Sequence, residues 1–307
     1  MDRRLNLDLP LQDAVRDGAG RLLASARATI SDALLADPNV HSGRHALDEA
    51  VHDVRRRLKE TRALLRLVRP GLGEEVYASE NTALRDLGRI LSDVRDAAAV
   101  VETWDAHADE MRGMLGGDGF VTVRLALVAR LDALHEEVPV STRLRRVDTG
   151  LLTAGLRLSA LELPTGTFQD VGEGLGRTWE RGRNALDAAE ASGTPEAFHE
   201  WRKRAKYHRY HCDMLRPLWP MVLQVREGEL HTLTDLLGEA NDLSVLRSIV
   251  DAERLLQDGV ADAFDEATSG RLASLQEEAL RQGRRMYSER TELLVERFEA
   301  MWEAAQE

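Results

Sequence analysis

Two histidines, His52 and His199, each open a run of cations at helical spacing. His52 is followed by Arg55, Lys59, Arg62, Arg66 and Arg69, and His199 by Arg202, Lys206, Arg209 and Arg216. At roughly 100° per residue, these side chains fall within one arc of about 100° on a helix. Guanidinium forks bind phosphate oxygens in pairs, and an ammonium supplies a compact charge that follows an irregular ligand. A neutral imidazole donates one hydrogen bond and accepts another, and a protonated one adds charge. Such a row suits a linear polyanion, which a helix about 25–30 Å long would meet with a cation at every turn. Left empty, the row is mildly unfavourable, because like charges at i,i+3 and i,i+4 repel by about 0.2–0.5 kcal/mol per pair.

The opposite side of the first segment carries Val54, Leu58, Leu64, Leu65 and Val68, an apolar stripe that can pack into a helical core. The two segments are also related to each other. With a shift of 147, Val51–Pro70 aligns with Phe198–Pro217, and His52, Arg55, Arg57, Lys59, Arg62, Arg69 and Pro70 all meet identical residues. Further on, LSDVRD at 91–96 aligns with LGEAND at 237–242, pairing Leu91 with Leu237 and Asp96 with Asp242. Of 41 basic residues only three are lysines, Lys59, Lys203 and Lys206, and all three lie in these segments. Arg and Lys serve equally for solubility, so this placement points to a specific use for a mobile ammonium.

The surroundings make the cationic segments stand out. The formal net charge is −12 and the pI about 5.3, which weighs against a general nucleic-acid coat and confines any anion site to a local patch. Leu, Ala, Arg and Glu dominate while aromatic and β-branched residues are sparse, so the fold class expected is all-α. The single cysteine, Cys212, fits a reducing compartment. The N-terminal MDRRLNLDLP has no apolar run after it and nowhere do about 18 apolar residues follow one another, so a cytoplasmic protein without a membrane partner is expected.

Helical periodicity, interrupted at Gly, Pro and Asp/Asn clusters, predicts helices near 11–36, 44–69, 73–93, 95–115, 119–136, 143–161, 169–191, 195–216, 220–239 and 242–257, with a long terminal helix near 270–305. The loops GGDG at 116–119 and PTGT at 164–167 are the clearest breaks, and the second divides the chain into 1–163 and 164–307. Asp96 and Asp242 stand before apolar runs, where they can cap helices or orient the Arg and Lys of the stripes. His208, His211 and His231 have a spacing compatible with a metal, but no carboxylate cluster completes a site, so neither metal nor cofactor is expected. The tryptophans read as core, Tyr210 as a single aromatic near the basic arc, and GEGLG at 172–176 as a helix start without the strand that a dinucleotide fingerprint needs. No arrangement for nucleophilic catalysis is present in the pattern, so a binding protein is expected rather than an enzyme. The alternatives are phosphotransfer or phosphatase chemistry on His52 or His199, and nucleic-acid binding.

HDVRRRLKETR and HEWRKRAKYHR share the pattern H-x-x-R-x-x-x-K-x-x-R, and each is followed by a turn like L-G-x-x-R/N-D. In both respects the chain resembles the CHAD domain, the conserved histidine α-helical domain, over nearly its whole length. That resemblance implies two four-helix bundles related by a pseudo-twofold axis, with the basic helices meeting at a central groove or pore. It also implies binding of inorganic polyphosphate, association with polyphosphate granules, and polyphosphate-metabolising enzymes as companions. The implicated residues are His52, Arg55, Lys59, Arg62, His199, Arg202, Lys206 and Arg209, with Arg56 and Lys203 as auxiliaries; the stripe itself adds Arg66, with Asp96 and Asp242 in support. Ser92 stands where the pattern has glycine, and Asn241 stands opposite Arg95.

Overall fold

The apolar residues of the first helix show how the chain assembles. Leu11, Ala14, Val15, Gly18, Ala19, Leu22, Leu23, Ala26, Ile30 and Ala33 recur at i,i+3 and i,i+4, and all are buried along one face. In a computed structural model, which describes residues 3–37 and 40–306, the same logic repeats down the chain. The described residues form twelve α-helices, one 3-10 turn and no strand. In order they are α1 (Leu11–Ala33), α2 (His41–Leu67), α3 (Arg69–Leu72), α4 (Glu74–Arg89), α5 (Ser92–Ala106), α6 (Ala108–Glu137), α7 (Val140–Leu158), α8 (Phe168–Ser192), α9 (Pro195–Met214), α10 (Pro220–Ala252), α11 (Asp258–Met286) and α12 (Thr291–Ala304). The 3-10 turn, Arg216–Leu218, joins α9 to α10. No described helix is long and apolar enough to cross a membrane.

Local sequence sets the ends of the two cationic helices. The α2 helix stops ahead of Arg69–Pro70 and α9 ahead of Arg216–Pro217, where proline lacks the N–H that would continue the ladder. At the start of α9, Gly193 takes the left-handed conformation (φ 64°) that ends α8, Thr194 Oγ1 accepts from the Ala197 amide, and Pro195 opens the new helix.

Several boundaries differ from those expected, among them a break at His107 inside the helix expected at 95–115 and a start of α11 at Asp258 rather than near 270. Helices predicted at 220–239 and 242–257 are one continuous α10, because Leu237, Ala240, Leu243 and Leu246 keep a buried row running past Gly238 and Asn241. Asp242 therefore lies inside a helix and caps nothing, and Asp96 likewise lies within α5. The terminal helix is two, α11 and α12, parted after the buried Tyr287. The predicted GGDG loop narrows to a kink at Gly116, whose φ of 71° and ψ of 170° interrupt α6.

One buried apolar cluster runs from Leu5 to Trp302 and includes residues of α1, α2, α7, α8, α9 and α12. A second gathers Val100, Trp104, Met111, Phe120, Val123 and Leu127 against Leu243, Leu246, Val250 and Phe264, joining α5 and α6 to α10 and α11. Helix α2 packs on α1, α4, α8 and α9, and α9 packs on α8, α10 and α2, so both cationic helices are held from several sides.

The approach of α8 to α2 is unusually close. A Cβ built on Gly174 would lie 1.9 Å from the Leu67 carbonyl oxygen and 2.9 Å from that of Arg66. The GEGLG segment is thus a packing surface in the early turns of α8. Gly174→Ala is expected to push α8 off α2 and to lower the unfolding free energy by about 1–3 kcal/mol, measured by urea titration.

Candidate anion-binding groove

Helices α2 and α9 lie side by side in opposite directions. Arg3 joins Glu60 on α2 (2.6 Å) to Asp213 near the end of α9, while Arg66, later on α2, stacks over Tyr207, earlier on α9, at 4.0 Å. The join is polar and buried. Arg57 pairs with Glu60 at 3.0 Å, Arg216 with Asp213 at 2.8 Å, and His211 Nε2 donates to the Ala63 carbonyl at 2.9 Å. Buried charges are tolerable when paired and hydrogen-bonded, as here, and the pairs fix how the two helices cross.

The cationic arcs behave differently. Lys59, Arg62, Arg66, Arg202 and Lys206 form no ion pair with a described carboxylate. Arg62 Nε donates to the neutral Asn81 Oδ1 at 2.9 Å, and Arg66 has aromatic partners, Tyr207 and, at 5.8 Å, Tyr77. Arg202 Nε and Arg66 Nε and Nη1 are buried with no hydrogen-bond acceptor among the described residues. Such donors carry a desolvation cost that an arriving phosphate oxygen would remove.

Lys59 and Lys206 face each other across the helix pair closely enough that the charge of one acts on the other. Burial, then Arg55 and Arg202, brings the Lys59 ammonium down to about 8. Burial, then Arg202, Lys59 and Arg209, brings Lys206 down to about 7. Lys59 is nevertheless solvent-exposed and Lys206 only half-buried. Dense surroundings combined with solvent access describe a concave wall. Lys206, Arg202 and Arg209 line a cleft of about 410 Å³ with Arg95, Thr234, Glu102 and Asp242. A wider cleft of about 800 Å³ between α10 and α11 sets Asp251, Asp262 and Asp265 against Arg247 and Arg254, and it is remote in character from this surface.

The aligned arginines have different duties. Arg55 Nη1 donates to the Gly88 carbonyl (2.9 Å) and Ser92 Oγ (2.6 Å), and Nη2 lies 3.5 Å from Asp96. It thereby ties down the end of α4. At the position aligned with Ser92 is Gly238, where a Cβ would come within 3.1 Å of the Arg202 guanidinium. Serine for glycine therefore adds a hydroxyl that holds Arg55, while glycine leaves room for an unheld Arg202. We expect Arg55→Gln to lower the unfolding free energy by about 1–2 kcal/mol and Arg202→Gln to leave it unchanged, as measured by urea denaturation.

His52 is exposed and has no hydrogen-bond partner among the described residues; burial, then Arg95, lowers its pKa. His199 Nδ1 meets Asn241 Oδ1, and Asn241 Nδ2 donates to Asp242 at 3.0 Å; burial outweighs that contact and lowers His199 too. Asp96 and Asp242 act on Lys59 and Lys206 through their charge. Arg209 is held by Glu227 at 2.7 Å. Lys203 pairs with Glu200 at 2.5 Å on the exposed side of α9. Arg56 pairs with Asp53 and lines a separate cleft with Arg3, Arg57, Asp213 and Arg216. Tyr210 is buried beneath Arg3 at 5.2 Å. His208 and His211 are also buried, and the described residues contain no cluster of His, Cys, Asp or Glu suited to a metal ion.

Sequence reasoning missed Tyr77, Tyr207 and Arg181. Tyr207 falls outside the basic arc, and Arg181 comes from α8, where its charge adds to that of Arg66 and Arg69. Arg95, which in the sequence only stands opposite Asn241, acts on His52 through its charge and lines the cleft.

The described residues form an all-α domain in which two antiparallel cationic helices pack against each other, and this architecture belongs to a known family. The CHAD domain model matches residues 24–251, and the chain belongs to that family. A crystal structure of the CHAD domain from the plant Ricinus communis shares the fold, with a TM-score of 0.56 and 16% identity over 94% of this chain and 93% of that one. No curated protein matches the chain.

Proposed function

We propose that the groove between α2 and α9 binds inorganic polyphosphate without transforming it. The observation that carries this reading is a set of facing cations, Lys59, Arg62, Arg66, Arg202 and Lys206, left without ion-pair partners in a chain of net charge −12. An acidic protein has carboxylates in excess, and elsewhere they pair with arginines throughout the surface. Cations kept free of them, with donors buried and unmet, are arranged for an anion from outside. Each half, 1–163 and 164–307, supplies one wall, α2 and α9, so that the two halves grip the polymer from opposite sides.

Under this reading His52 and His199 stand at the ends of the two cationic rows, and Asp96 and Asp242 hold the basic side chains in place. The protein's place would be the cytoplasm, at polyphosphate granules and near the enzymes that make or degrade the polymer. Titration with long-chain polyphosphate, short phosphates, RNA and heparin over a salt series tests it. Long-chain polyphosphate is expected to bind most tightly, with affinity falling steeply as salt rises. Equal affinity for RNA would overturn the specificity.

A further inference from the structure

The three lysines of the chain occupy three different settings. Lys203 is exposed and paired with Glu200. Lys59 and Lys206 have no carboxylate partner and are flanked by guanidinium groups, Arg55 and Arg202 beside Lys59, Arg202 and Arg209 beside Lys206. Of the two, Lys206 lines the 410 Å³ cleft beside Arg202, whose Nε is unmet, and Thr234; Glu102, Asp235, Glu239 and Asp242 line it as well, but none of them pairs with Lys206. An amine among cations gives up its proton more readily than one beside a carboxylate, and a neutral amine is a nucleophile.

We propose that Lys206 is a modification site for acyl phosphates, small reagents whose phosphate is drawn to the guanidinium groups that flank the amine. This rests on the reading that the groove receives phosphate. Arg202, which has no carboxylate partner, holds the phosphate end and places the acyl carbon beside Nζ, while Arg209, engaged by Glu227, lines the cleft alongside. Nζ attacks the carbonyl carbon, the bond from that carbon to the bridging oxygen breaks, and inorganic phosphate leaves with the electron pair. The amine proton passes to solvent, and an amide remains. No oxidant or reductant is needed. The product has lost one of the facing cations, so acylation would weaken the grip on a polyanion and give the groove a chemical control.

Sequence gives the test its internal standard, since Lys203 lies three residues away on the same helix. The protein is incubated with acetyl phosphate, and acetylation at Lys59, Lys203 and Lys206 is followed by peptide mass spectrometry. Lys206 is expected to react at least about tenfold faster than Lys203. In a parallel arm, an uncharged acetyl ester should show a smaller preference, because it lacks the phosphate that the arginines hold. Arg202→Gln should cut the rate at Lys206 with acetyl phosphate. Equal rates at Lys203 and Lys206 overturn the proposal, as does an equal preference with the uncharged ester. Added long-chain polyphosphate separates this idea from the one beneath it. Protection of Lys206 supports both. Selective acetylation that polyphosphate leaves untouched supports the acylation site and sinks the polyphosphate reading. Polyphosphate binding without selectivity for Lys206 does the reverse.

Discussion

Replacing Lys59, Arg202 and Lys206 together by glutamine should lower affinity for long-chain polyphosphate by about 100-fold to 1000-fold while leaving the fold at least as stable as before. Each charge-assisted hydrogen bond is worth about 1.5–3 kcal/mol, and the open groove discounts that value through solvent and salt. Three such bonds, reduced accordingly, give the stated range. The slope of log affinity against log salt should become shallower by about two to three, because three fewer cations release counterions. Stability should not suffer, since none of the three side chains holds an ion pair and Lys59 and Lys206 repel Arg202. Isothermal titration and thermal melting of the same preparation report both quantities. Unchanged affinity with an intact fold would place the ligand elsewhere. Arg55, which is hydrogen-bonded to Gly88 and Ser92, is left out of this variant because its loss would confuse binding with folding.

How much of this was open to reading in the sequence depended on what each residue answers to. The apolar faces of α2 and α9 obey helical periodicity, so Val54, Leu58 and Leu65 were placed in the core from spacing alone. The two basic arcs followed from the same arithmetic, and alignment at a shift of 147 linked them. What the sequence withheld was the pairing of charges. Arg209 and Lys206 sit one turn apart on one arc, yet Glu227 on α10 neutralises the first and no carboxylate pairs with the second. That difference comes from tertiary packing, which spacing within one helix does not encode. The unbroken α10 was hidden for a related reason. Gly238 and Asn241 read locally as a break, but the buried row on the opposite side of the helix outweighs their weak propensity. Ser92 departs from the glycine pattern, and the reason lies in a tertiary contact, since its hydroxyl holds Arg55.

Affinity for polyphosphate should fall as pH rises from about 6 to about 9, by about tenfold or more, with the decline setting in near the values held by the two groove lysines. In the empty protein, burial and the flanking guanidinium groups bring Lys206 to about 7 and Lys59 to about 8. A bound polyanion favours the ammonium form of both, so binding takes up protons wherever the empty groove has lost them. Below about pH 6 both lysines are already charged, and this contribution is flat. Burial lowers His52 and His199, so their protonation adds to affinity only on the acid side of the histidine range. Folding responds with the opposite sign. The unfolded chain keeps these lysines near 10.5, so between about pH 7 and that value it binds more protons than the native state, and their penalty on stability shrinks as pH rises. Above about pH 9 the buried Cys212 thiol, pushed up to about 12, begins to act against stability. Comparing wild type with Lys59→Gln/Lys206→Gln isolates the lysines from that thiol. The melting temperature of the variant should exceed that of wild type near pH 6, with the gap narrowing above about pH 7 and closing only near the unfolded value of 10.5, while the pH dependence of polyphosphate binding should largely vanish. A constant gap in melting temperature, or an affinity that still falls with pH in the variant, would mean that the charge sensed by the polymer resides on other groups.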